Sequence, residues 1–442
     1  MRRFQFSRAT TSAFPSATSD PSIKIVGAFA SGKRLHADRV GIQAILFHPG
    51  KRSAFMPMIA KRTYDSQLAP NMTLSHVLNF SRAAAALLVL FFHVRSTLVV
   101  PYDALDAHSG LSRVFFLITT FGHDAVIIFF VLSGYLVGGA VLRLDMEARS
   151  HLFEYWVDRS VRIGPVLIAA TVLSVTLQLV TPSSGCGDSP TTILGNAFGF
   201  ENFIVRPLCN NLPLWSISNE VVYYFAFPVM IAAFLRLFSI WLAISLACVA
   251  LICALSMQLA PLDETNIVLD FPFWLIGAAL WFVQGEFRRL RWLSLLMLAA
   301  ALAVGRLDIG KDHFWLRDLF LAASLSLVLV TFFNQPMPAS GVRAVLADRL
   351  AEFSRRFADL SFSLYVTHYA LIRFYIAVSH HEARHKSVTI ELLLEFVFLS
   401  AFCILVASAF STLFERPRRL FKRFLMERLP LSCSPELDHT RR

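Results

Sequence analysis

The stretch Ser81–Arg95, SRAAAALLVLFFHVR, is a long apolar run with Arg82 near one end and His93 near the other. The two lie eleven positions apart. At about 100° and 1.5 Å per residue, a helix turns both to one side and separates them by roughly 16 Å along its axis. An ionisable group inside a membrane span is costly and marks function by default. Two on one face, at two depths, read as a polar track entering the bilayer from one side. His93 is its candidate reactive centre.

The rest of the chain fits a membrane setting. Its 442 residues are 56% hydrophobic and 16% charged, with forty-one Phe, and the mean hydropathy is +0.58. Soluble domains carry about 25% charged residues. The composition excludes a soluble enzyme and describes an all-α, polytopic transmembrane bundle. The net charge of +11 suggests nucleic acid, but its distribution argues against that. Residues 1–73 carry eleven Lys/Arg against three Asp, whereas the other 369 carry thirty against twenty-seven Asp/Glu. Residues 1–73 are polar, basic and Ser/Thr-rich, with no signal-peptide core behind Arg2 and Arg3. They read as a disordered extension or an upstream start, since Met58 and Met72 are both natural starts. Residues 74–420 form the membrane domain, and 421–442 a short basic tail.

Ten apolar segments of roughly spanning length follow, at about 74–100, 114–140, 163–181, 213–235, 237–257, 267–284, 292–305, 316–334, 360–379 and 389–414. With the N-terminus inside, inner loops and the tail hold twenty Lys/Arg and outer loops seven. That asymmetry predicts both termini in the cytoplasm. Cys186 and Cys209 share the one long outer loop, 182–212, where an oxidising compartment permits a disulfide. Cys248, Cys253 and Cys403 lie in spans and read as small core residues. No Cys/His pattern has zinc-site spacing, and no metal is expected.

Within the spans, Glu220 lies about seven residues below Pro213, and His93 about seven below Pro101. The topology puts both roughly 10 Å below the outer edge. A base and an orienting carboxylate fit that placement, and so does a polar pair locking two helices. Arg159 and Arg162 sit three apart on one face, at the inner level of Arg82. Together they suit a phosphate clamp, although inner arginines also serve orientation alone. In the second span, Ser133, Gly134, Gly138 and Gly139 read chiefly as close helix packing, and Asp124 either helps His93 or caps and pairs. In the ninth, Ser361, Tyr365 and His368 share a face. A structural hydrogen-bonder and a functional group both fit His368.

The chain resembles the acyltransferase-3 family of integral membrane O-acyltransferases over roughly 74–420. The motifs are Arg82 with His93, FFVLSGYL from Phe129, Arg159 to Pro165, WSISNE from Trp215 followed by Tyr224 and Pro228, SFSLYVTH from Ser361, and Glu415 with Pro417. Each is weak alone, but six in order are specific. Two positions depart from the family pattern. Ile127 stands where many relatives have Asp, with Asp124 nearby, and Val221 stands where many have a second Glu. The resemblance implies a bacterial inner-membrane enzyme moving an acyl group, by family habit acetyl, from cytoplasmic acyl-CoA (acetyl-CoA) to a hydroxyl. The implied acceptor is a cell-envelope carbohydrate: polysaccharide, lipopolysaccharide or a lipid-linked sugar. In that reading Arg82, Arg159 and Arg162 hold the CoA phosphates. His93 is general base or transient acyl carrier and Glu220 its partner. Asp124, Ser133, Gly134, Trp215, Ser216, Tyr224, Ser361, Tyr365 and His368 support the site. The alternative is a transporter or flippase using His93 and Glu220 as a proton relay.

Overall fold

The computed structural model describes residues 72–144, 149–181, 187–235, 266–283, 287–306, 314–333, 342–379 and 384–428. The N-terminal extension and the expected span at 237–257 lie outside them. Among the described residues the chain is all-helical, with two isolated β-bridges and no strand. We number the helices α1 (Met72–Leu98), α2 (Gly110–Thr119), α3 (Gly122–Leu142), α4 (Arg149–Val180), α5 (Pro190–Ala197) and α6 (Trp215–Leu235). They continue with α7 (Ile267–Ala279), α8 (Arg291–Val304), α9 (Phe314–Thr331), α10 (Val342–Ser379), α11 (Ile390–Phe410) and α12 (Arg418–Arg428). Among the described residues, five stretches are long and apolar enough to cross a membrane: Thr73–Leu98, Gly110–Leu142, Ser150–Val180, Phe314–Thr331 and Ile390–Glu427.

α1 is the axis of the bundle. Leu74, Leu78, Ala85 and Val89 pack into a core built with α3, α4, α6, α7 and α9. Ala86, Leu90, Val94 and Leu98, on another face, pack into a second core with α2, α10 and α11. A helix buried on two faces needs apolar residues nearly all round, which is what Ser81–Arg95 supplies. The far end of α1 is pinned where Val100 N–H donates to the His385 carbonyl (3.1 Å) and His385 N–H to that of Leu98 (2.8 Å).

The glycines of α3 do what small residues do in membranes. A Cβ on Gly134 would collide with the Trp274 carbonyl, and one on Gly277 with that of Val131. α3 and α7 therefore meet backbone to backbone. Trp281 Nε1 then donates to the Tyr135 carbonyl at 2.6 Å.

Within Gly110–Leu142, the stretch that contains the expected span 114–140, the helix is interrupted at Thr120–Phe121. Ser109 caps α2, its Oγ accepting from Ser112 N–H at 3.1 Å. The Thr120 carbonyl at the break accepts from Arg306 Nη1 at 3.0 Å, and the Arg306 guanidinium lies over the Phe121 ring, 4.3 Å from its centroid. A tertiary partner for the freed carbonyl overrides the continuous apolar pattern. The basic tail expected from 421 likewise starts as helix. α12 exposes Leu420, Phe421 and Phe424, while Lys422 reaches Glu154 and Asp158 of α4, each at 3.3 Å. Cys209 is disulfide-bonded; Cys186, its expected partner, lies outside the described residues. Cys403 is a free, buried core residue, as expected.

Candidate active site

Arg82 and His93 both stand on the uninterrupted α1, and their surroundings differ. Arg82 opens onto a narrow cleft of about 90 Å³ lined also by Ser133, Arg159, Arg162, Glu220 and Tyr224. Its Nη2 donates to Ser361 Oγ at 3.3 Å. The charges of Arg162, Glu220 and Glu415 act on it. Glu415, in a π-helical turn, Ser411–Glu415, that continues α11, accepts from Ser363 Oγ at 2.6 Å. Arg82, Arg159 and Arg162 thus line one cleft, with the Glu220 carboxylate on its wall. Arg159 also pairs with Asp158 at 3.4 Å and lies over the Tyr155 ring at 5.5 Å.

Glu220 is held by a directed chain of donors. Trp274 Nε1 donates to Ser133 Oγ (3.2 Å), Ser133 and Tyr224 hydroxyls are 3.0 Å apart, and Tyr224 Oη donates to Glu220 Oε2 (2.7 Å). Tyr224 gives its one proton to the carboxylate, and the Ser133 hydroxyl reaches both the phenol oxygen and the Glu220 carboxylate. Local sequence explains the anchor. Pro228 has no N–H to offer the Tyr224 carbonyl one turn back, and Tyr155 Oη donates there instead, at 3.2 Å. Tyr155 and Trp274 are site residues that the sequence motifs did not single out. The proline, four residues past Tyr224, was the available signal for Tyr155.

Glu220 is not the group that orients His93. Among the described residues no hydrogen bond joins them, and the Glu220 carboxylate belongs to the arginine cleft. Similar depth left rotation about α6 free, and the i, i+4 pairing with Tyr224 turns the carboxylate toward the arginines. The proton relay required by a transporter loses its contact as well.

His93 has an imidazole neighbour instead. Its ring lies 5.2 Å from that of His368 and 5.1 Å from that of Tyr369, centroid to centroid. His368 is 1% exposed, and its Nδ1 meets the carbonyls of Tyr365 (2.7 Å) and Leu364 (3.1 Å). Two carbonyl acceptors place the proton on Nδ1 and the lone pair on Nε2. That Nε2 is sealed and bonds no protein group among the described residues. Tyr365 joins the two levels. Its ring lies 5.7 Å from that of His368. Its hydroxyl donates to the Pro213 carbonyl (3.0 Å), which leaves Ser216 Oγ to donate to it (2.7 Å). Tyr365 and Ser216 line the cleft, and His93 is not among its lining residues. Trp215, at the start of α6, packs against Phe130 at 6.3 Å.

Asp124 does not help His93 either; it is ion-paired with Arg306. Beside it, His123 Nε2 and Asp318 Oδ2 are 2.8 Å apart, and Arg317 Nε reaches Asp318 Oδ1 at 3.0 Å. Arg306 and Asp318 come from other helices or their ends, and no local motif announced them.

Two features now define the chain: an arginine cleft and a histidine pair, set along one helix of an apolar bundle. No curated protein and no solved structure matches it. The acyltransferase-3 family model, an acyltransferase domain, matches residues 76–412, from early α1 to the turn after α11. The chain belongs to the acyltransferase-3 family, and is a membrane acyltransferase.

Proposed function

We propose that the protein moves an acyl group, acetyl by the family's habit, from cytoplasmic acyl-CoA to a hydroxyl of a cell-envelope carbohydrate. The reading carries ten membrane spans, both termini in the cytoplasm, and the inner membrane of a bacterium as its site. The observation that carries it is the shared placement of Arg82, Arg159 and Arg162 on one cleft, about 16 Å along α1 from His93. Guanidinium groups suit the phosphates of CoA. A pantetheine arm is long enough to run from there past Tyr365 to the imidazole. The disulfide at Cys209 supports an outer, oxidising location for its loop.

In the reaction, the acceptor hydroxyl attacks the thioester carbonyl while His93 takes its proton. The C–S bond breaks, the imidazolium returns the proton to the thiolate, and ester and CoA leave. In the covalent version, His93 first displaces the CoA thiolate to form an acyl-imidazole; the sugar hydroxyl then attacks that acyl carbon, the C–N bond breaks, and the hydroxyl proton passes to the released imidazole. His368, with Nε2 free of a proton, supports the charge that His93 gains. Glu220 belongs to the donor end, where it offsets part of the arginine charge and fixes Tyr224.

The test is mass spectrometry of envelope glycans from cells with the gene, without it, and with His93→Ala. Loss of the same ester in both deficient strains is expected, and its mass names the acyl group. Identical glycans in all three would overturn the proposal.

A further inference from the structure

A second cavity lies between α4 and α6, and it differs from the arginine cleft in size and chemistry. It holds about 700 Å³, against about 90 Å³ for the cleft. Ile168 of α4 and Phe225, Ala226 and Val229 of α6 give it apolar walls. Ser160, Gly164 and Ile168 recur every four residues and so form one stripe along α4. Gly164 deepens that stripe, for a Cβ there would meet nothing within 4 Å. Ile168 is 43% exposed and Phe225 39%, and α4 here lies within Ser150–Val180, a stretch apolar enough to cross a membrane. An opening at such a place meets acyl chains rather than water. Arg159 is the one charged residue among the described lining residues, and it is the first residue of α4 on the wall. Asp158 lies 3.4 Å from its Nη2, but Lys422 also holds that carboxylate, at 3.3 Å. Among the described residues the guanidinium has no hydrogen bond to another protein atom. An apolar slot with a guanidinium at its end is complementary to an apolar chain with an anionic head.

We propose that this groove holds one acyl chain of an anionic glycerophospholipid drawn from the surrounding bilayer, with its phosphate at Arg159. The dimensions agree. From Arg159 to Ile168 the wall follows α4 for nine residues, about 14 Å. That is close to half of the roughly 30 Å hydrocarbon core, the reach of one leaflet's chain. Arg159 and Ile163 line both cavities, so the lipid phosphate lies at the wall of the arginine cleft. The lipid site stands on the groove alone and does not depend on the acyl-transfer reading.

The experiment uses the full chain in phosphatidylcholine nanodiscs. They carry a trace of phosphatidylglycerol with a diazirine in one acyl chain or, in parallel, phosphatidylcholine with the same tagged chain. After illumination, peptide mass spectrometry maps the labelled residues. At Ile168, Phe225 and Val229 the glycerol lipid should label roughly three- to tenfold more than the choline lipid. At Leu405 of α11, 71% exposed, the two should label alike. Arg159→Gln should bring the groove ratio close to that at Leu405. Ile168→Trp and Ala226→Phe fill the groove from opposite walls. Each should cut phosphatidylglycerol labelling of Val229 about tenfold or more, since each displaced methylene is worth about fourfold, and leave Leu405 labelled as before. A groove ratio equal to that at Leu405 in wild type, or one that Arg159→Gln leaves unchanged, overturns the site. So does groove labelling that both filled variants retain while eluting as folded protein. If neither filled variant folds, the lipid ratio on wild type and Arg159→Gln decides alone.

Discussion

The arginine end of the site and its histidine end handle charge in different ways. Arg82, Arg159 and Arg162 line a cleft with Glu220 on its wall, and the Glu415 carboxylate also acts on Arg82. His93 faces His368 and Tyr369, with no carboxylate bonded to either imidazole among the described residues. Between them Tyr365 is latched to Pro213 and Ser216. Group transfer from a polyanionic donor needs both environments. Phosphates want fixed cations, whereas a base works best where its neighbours keep it neutral and oriented. Placing the two on one rigid helix, about 16 Å apart, fixes their spacing without a loop.

That division predicts separable losses. His93→Ala should reduce turnover most, by about a hundredfold or more, the usual worth of a positioned proton acceptor. Steady-state kinetics with purified protein measure it. Arg82→Ala should instead cut kcat/KM for the donor by roughly ten- to hundredfold through KM, as loss of a charge-assisted contact does. Glu220→Gln sharpens the boundary. If the carboxylate serves the arginines, its neutral isostere should tighten CoA binding roughly two- to fivefold and leave kcat within about tenfold of wild type. A kcat collapse like that of His93→Ala would return Glu220 to the histidine end.

A smaller effect concerns stability outside the membrane. Glu201, fully buried in the loop before α6, has its carboxyl pushed up to about 8 by burial, against smaller pulls from its own backbone amide and then the Ser218 hydroxyl. Folded protein then holds a proton that unfolded protein has released. Stability should fall as pH rises from the ordinary carboxyl range toward 8, and level off above it. Glu201→Gln should flatten that part of a thermal-unfolding profile.

The two ends were also unequally legible in the sequence. Arg82 and His93 were readable because both lie on one helix, where spacing fixes geometry. Gly134 and Gly138 were readable as close packing for the same reason, since small residues at that spacing have one dominant use in membranes. The His93–Glu220 pairing failed because it joined two helices through depth alone, which leaves rotation free. Asp124 found Arg306, 182 positions away in sequence, and no local pattern carries such a contact. His368 could be placed on its face, but its tautomer came from two backbone carbonyls.

The most direct test is a paired measurement on His93→Ala and Arg82→Ala in nanodiscs: CoA affinity by titration, and CoA release from acetyl-CoA with an envelope glycan acceptor. The account predicts a crossed result. His93→Ala binds CoA as wild type does and releases almost none in turnover, while Arg82→Ala binds CoA weakly and still turns over at saturating donor. If His93→Ala lost CoA affinity as Arg82→Ala does, or kept normal release, the division of labour along α1 would be contradicted.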